Sequence, residues 1–152
     1  MPRERLHARY GPRLHQHVEA MFAANGLEHA PPPDVVPNTF AALRLAELAR
    51  DRDRHRDVHD RLMDAYWAES RNIGDADTLR ELSRELELPE DDVERVLAGD
   101  DYGERVRAST QQAVSLGITG IPGFLLGRRL LVLGAQPPEV FEQAFAQLRS
   151  DY

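Results

Sequence analysis

The 152-residue chain is long enough for one domain with a real core, and 41% apolar against 30% charged residues is a soluble, globular balance. Nineteen basic residues, all arginine and with no one-faced stripe, stand against 26 acidic ones; the formal charge of -7 argues against a nucleic-acid partner. No cysteine is present, which excludes structural disulfides, thiol nucleophiles and thiolate metal sites.

The first residues, MPRERLHARYG, lack the apolar core of a secretion signal, and no window approaches the roughly 18 apolar residues of a membrane span. No membrane partner is expected, and a cytoplasmic location is. Residues 3–10 read as a short polar helix broken at Gly11-Pro12. From Pro12, the positions Leu14, Val18, Met21 and Phe22 follow a helical period and Asn25-Gly26 supplies a stop, so a helix is expected over 12–25. His7, His15 and His17 lie in or beside it. Residues two apart on a helix do not face each other, so His15 and His17 make a poor metal pair.

His29 to Asn38, HAPPPDVVPN, is a proline-rich extended connector. Asn38 or Thr39 caps the next helix, whose expected face is Phe40, Leu43 and Ala46, joined by Leu45 and Leu48. The alternating charges of Arg50 to Asp57 read as a solvated stretch. From Val58 a stripe continues through Leu62, Ala65 and Tyr66, with Met63 and Trp67 at its flank. His55 and His59 share a helix face, but Arg56 stands where a metalloprotease needs glutamate and there is no third ligand, so no metal is expected.

Asp75 or Asp77 caps a helix carrying Leu79, Leu82 and Leu86; a calcium loop fails there for want of the required glycine and glutamate. Leu88 to Asp92 opens another helix, with Val93, Val96 and Leu97 on its apolar side and Gly99 at its end. Asp100 then caps a helix bearing Tyr102, Val106, Ala113 and Leu116, which stops at Gly117. Residues 39–116 thus read as an all-α block of helices with short connectors.

The stretch from Gly117 to Pro138, GITGIPGFLLGRRLLVLGAQPP, is where the chain reads as sheet. Phe124–Leu126 and Leu130–Leu133 are short apolar runs around Gly127-Arg128-Arg129, a tight hairpin. Ile121-Pro122 leads into it, and X-Pro is the bond type for which a cis peptide is cheap. Pro137 and Pro138 suit a first helical turn, and Val140, Phe141, Ala144, Phe145 and Leu148 trace one face of a closing helix. No nucleophile elbow, phosphate loop or acid–base pair is found along the chain, so no catalytic residue and no cofactor are assigned.

The run GITGIPGFLLGRRLLVLGAQPPEVF resembles the C-terminal half of thioredoxin-fold proteins of the DsbA family, in particular the FrnE-like branch. There, a Gly-(Val/Ile)-x-Gly-(Val/Ile)-Pro-x-Phe run leads into the last two strands, and Gly-Ala-Gln-Pro opens the final helix. Asn38-Thr39 with AALRLAELA, and SRNIGDADTLRELSREL, extend the resemblance upstream. It implies an α+β, predominantly helical chain: an incomplete thioredoxin-like fold in a single truncated domain over 1–152. That domain would hold an N-terminal helix and linker over 12–38, a helical insertion over 39–116, and a cis-proline turn, hairpin and closing helix over 117–152.

Family members begin with a strand, a helix starting at a Cys-x-x-Cys pair and a second strand, for which this sequence has no counterpart. The resemblance therefore implies a thiol-disulfide oxidoreductase family domain that is redox-inactive alone. Ile121 and Pro122 would be the substrate-facing residues, and Asn38 matches an asparagine near the ligand in relatives that bind glutathione or small aromatic substrates. Because the strand after the proline pairs with the first strand of the family fold, its edge is left without a neighbour here. Self-association through that edge is expected, with the N-terminal helix as an alternative cover; the competing function is a non-catalytic module holding a peptide, a glutathione-like thiol or a small ligand.

Overall fold

A computed structural model describes the chain over residues 13–150, with side chains from Val18 onward. The expected helix over 3–10, and the side chains of His7, His15 and His17, lie outside the described residues. Seven helices and one hairpin follow in the order α1 (Arg13–Ala24), α2 (Phe40–Arg50), α3 (His55–Trp67), α4 (Ala76–Glu85), α5 (Glu90–Ala98), α6 (Gly103–Ser115), β1 (Gly123–Leu126), β2 (Leu130–Leu133) and α7 (Pro138–Ser150). The chain divides into two compact units, one ending at Val106 and the other beginning at Arg107, so α6 runs from one into the other.

The all-α block over 39–116 holds five helices, α2 to α6, one at each place where the sequence marks a helix start. Glu87, at φ 53°, turns the chain between α4 and α5, just before the helix start expected at Leu88 to Asp92. α2 is the central element, packed on α3 and α5, while α4 closes against both of those helices. Leu45 and Leu48 of α2, Leu79 of α4 and Val96 of α5 are fully buried at the centre. The buried face of α2 differs from the expected one: it is Ala42, Leu45, Ala46, Leu48 and Ala49, while Leu43 is half exposed. Small alanines let neighbouring helices approach closely, so they fill the interface in place of the larger Leu43.

The helix ends are defined chemically. The Asp75 carboxylate accepts from the Thr78 backbone N–H at 2.9 Å, capping α4 and holding its own pKa below the usual carboxylate value. The buried Arg44 donates to the Gly99 carbonyl at 2.6 Å, satisfying an orphan group at the end of α5, and its guanidinium lies 5.3 Å from the centre of the Phe40 ring. Ion pairs lace the polar faces. Arg61 binds Glu85 at 2.7 Å and Arg71 binds Glu81 at 2.6 Å, Arg80 holds Glu94 at 2.7 Å, and Arg52 pairs with Asp92. The hydrogen bond from Arg61 keeps the Glu85 carboxyl below its ordinary range. The proline-rich connector is tied to the end of α3, the Ala30 N–H donating to the Trp67 carbonyl at 2.7 Å and the Ser70 hydroxyl to the Pro31 carbonyl at 2.6 Å.

The second unit is built on different terms. α6 ends in a Schellman turn, with Ile118 N–H donating to the Ala113 carbonyl and Gly117 N–H to the Val114 carbonyl, both at 3.0 Å, and Gly117 at φ 80°. β1 and β2 pair antiparallel, Gly123 opposite Leu133 and Leu126 opposite Leu130. Gly127 and Arg128 both have positive φ and the Arg129 N–H closes on the Leu126 carbonyl at 3.0 Å, the pattern of a type I′ turn. α7 lies against β2, and its Phe141 meets Phe124 edge to face, ring centres 5.0 Å apart. No described residue from Arg107 to Ser150 is fully buried.

Candidate functional site

The hairpin exposes one unpaired edge of β1, and strand geometry decides which groups lie on it. The Gly134 N–H donates to the Pro122 carbonyl at 2.8 Å, so Pro122 turns its carbonyl towards β2. In an antiparallel ladder the groups alternate, so Phe124 and Leu126 also address β2 while Gly123 and Leu125 point their N–H and C=O outward. Among the described residues the sheet has two strands, and that outer row faces no other strand.

The side chains along this edge are apolar. Ile121 is 95% exposed, the most open large apolar residue among the described ones, and Phe124 and Leu125 are about two-fifths exposed. The peptide bond between Ile121 and Pro122 is cis. A Cβ on Gly123 would stand 3.0 Å from Ile118, so that glycine lets the turn and strand close together. Arg128 and Arg129 put positive charge at the turn end of the edge, and the strand itself carries none. The arrangement can add an extended segment by backbone hydrogen bonds, with apolar contacts on alternate residues.

Asn38 has a structural position in the first unit. Its side-chain oxygen accepts from the Phe40 N–H at 3.1 Å, an Asx turn at the start of α2 that does the capping work Thr39 does not. Asn38 belongs to the first compact unit and Ile121 and Pro122 to the second. His55 and His59 stack with ring centres 6.1 Å apart, and His55 also meets Arg50 at 2.8 Å. No group of three or more His, Cys, Asp or Glu side chains suited to a metal occurs among the described residues. No helix among them is long and apolar enough to cross a membrane. Sequence reasoning passed over the aromatic cluster of Phe22, His29 and Trp67, in which Phe22 lies 5.2 Å from Trp67 and 4.9 Å from His29.

Comparison with known proteins sets this geometry in a family. The profile described as DSBA-like thioredoxin domain matches residues 2–146. A crystal structure of a probable DsbA oxidoreductase from Streptomyces coelicolor is similar over the whole of this chain, with 34% identity and a TM-score of 0.85, and the chain covers 69% of that protein. YwbO of Bacillus subtilis (strain 168) is 27% identical over 117 residues, a match that takes in 75% of this chain and 58% of YwbO. The chain thus spans less than two thirds of that relative's length.

Proposed function

The chain belongs to the DsbA-like thioredoxin domain family, a family of thiol-disulfide oxidoreductase domains, and from that premise we propose that it acts by binding along the open edge of β1 and not by thiol chemistry of its own. Disulfide exchange requires a thiolate to attack a disulfide sulfur, and the 152 residues contain no cysteine. Any thiol chemistry in which this chain takes part needs a thiol from outside these 152 residues. The observation that carries the reading is a 95% exposed Ile121 beside a strand that, among the described residues, pairs with another strand on one side only.

The occupant we assign to the edge is β1 of a second copy, related by a two-fold axis. Antiparallel pairing of the two strands gives a four-stranded sheet and satisfies the outward N–H and C=O of Gly123 and Leu125 on both copies. It also covers part of the apolar surface that leaves the second unit without a buried residue. Extended peptide from another protein, or a glutathione-like thiol, is the alternative occupant of the same groups.

Two measurements test the proposal. Insulin reduction by the purified chain, without any added thiol protein, is expected to show no turnover above the dithiothreitol blank; turnover would overturn the non-thiol reading. Sedimentation velocity is expected to show a dimer at micromolar concentration. A monomer that binds an extended peptide or glutathione would replace the second copy by the alternative occupant, and a monomer that binds neither would overturn the edge as a binding site.

A further inference from the structure

Between the end of α1 and the last two turns of α3 lies an open groove of about 700 Å³ within the first unit. The sequence builds it deliberately at its α1 side. That helix ends in a Schellman turn, Leu27 N–H donating to the Phe22 carbonyl at 3.0 Å and Gly26 N–H to the Ala23 carbonyl at 3.2 Å, with Gly26 at φ 64°. The turn brings Leu27 back beside Phe22, and Phe22, Leu27, Met63 and Trp67 make the apolar part of the lining. Phe22 and Trp67 meet at 40°, which leaves a continuous aromatic surface along the groove.

The rim is acidic. Glu28, Asp64 and Glu69 all line the groove. Glu69 is neutralised by Arg61 at 2.8 Å and by Arg71 at 3.6 Å. Glu28 and Asp64 are exposed and enter no ion pair among the described residues. Two carboxylates with no ion pair among the described residues, lining the same groove as an indole and a phenyl ring, make a negative potential, to which the electron-rich ring faces add. The volume is that of a small-molecule site, commonly about 300–1,000 Å³.

We propose that this groove binds a small organic ammonium, its apolar or aromatic body against Phe22, Leu27, Met63 and Trp67 and its cationic nitrogen at Asp64 and Glu28. Charge complementarity selects the ligand class. An anion meets two like charges at the rim, and a neutral isostere of the amine keeps the apolar contact while losing both the ion pairs and the cation–π term. Those losses together correspond to about tenfold in affinity. The site is independent of the hairpin edge.

Trp67 is the chain's single tryptophan, so the fluorescence of the full-length protein reads this groove directly. The probes are 2-phenylethylamine, 2-phenylethanol and 3-phenylpropionate, titrated at neutral pH and low ionic strength. The amine is expected to give a saturable change, the alcohol binding about tenfold weaker and the acid weaker still. D64N and E28Q, both on exposed positions, are each expected to weaken the amine several-fold, while D91N on α5 leaves it unchanged. An absent or non-saturable response to the amine would overturn the proposal. So would equal affinity for amine and alcohol, or unchanged amine binding in both D64N and E28Q.

Discussion

Gly127 sits at φ 56° in the hairpin turn, and a Cβ built there would lie 3.3 Å from both methyl carbons of Leu148 on α7. G127A therefore meets two penalties at once. The left-handed backbone costs an alanine about 1 kcal/mol, and the tight contact with Leu148 adds several tenths to about 1 kcal/mol unless α7 shifts. Against this, alanine restricts the unfolded chain and returns about 0.4–1 kcal/mol. The net effect is a loss of about 1 kcal/mol, confined to the second unit. Amide hydrogen exchange measures it: the Phe124 and Val132 amides, which face each other across the ladder, should exchange about fivefold faster under conditions where exchange follows opening. Amides in the helical unit, such as Leu48 and Val96, should not change. R128N provides a control of opposite sign, because Arg128 already occupies φ 59° and asparagine tolerates that region; protection should rise about twofold. Unchanged protection at Phe124 and Val132 in G127A, or an equal loss at Leu48, would refute the reasoning.

Other consequences concern the helical unit. Leu48 is wholly buried at the centre of α2, so L48A should lower stability by about 3 kcal/mol in urea denaturation, whereas L43A on the half-exposed side of the same helix should cost well under 1 kcal/mol. Removing the α4 cap with D75A should lower the thermal midpoint by roughly 4 °C. The Asp75 carboxyl has its folded pKa lowered, chiefly by the Thr78 backbone N–H. Its contribution is thus fully present above the unfolded pKa and is lost as pH falls through the folded value. D75N keeps the acceptor and should show a shallower loss of stability in that acidic range than the parent; an identical acid profile would contradict the role given to the carboxylate.

Much of the architecture was readable from local chemistry. Gly117 and Gly26 mark helix ends because each occupies the left-handed position of a Schellman turn, and Asp75 marks a start because its carboxylate meets the free Thr78 N–H of the first turn. The hairpin was legible because two apolar runs flank a glycine turn. What escaped was decided by tertiary neighbours. The buried side of α2 went to alanines over Leu43, since close helix approach, not side-chain size, selects that face. Asn38 was legible as a cap, and its Asx turn at α2 gives that reading a direct partner. The groove beside Trp67 was invisible because Phe22, Leu27 and Met63 come together only when α1 and the connector fold back on α3. The openness of the β1 edge was legible only through family resemblance; composition and periodicity say where strands lie but not which neighbours they have.

The central claim is that β1 presents a functional edge, and L125P addresses it most directly. The Leu125 N–H points away from β2, so proline there removes an edge donor without taking a hydrogen bond from the hairpin. Sedimentation velocity of the wild-type chain should give a species of twice the 17.2 kDa chain mass at micromolar concentration, and L125P should sediment as a monomer with the helical content unchanged. A wild-type dimer that persists unaltered in L125P would contradict the account, as would a wild-type monomer that binds neither an extended peptide nor glutathione.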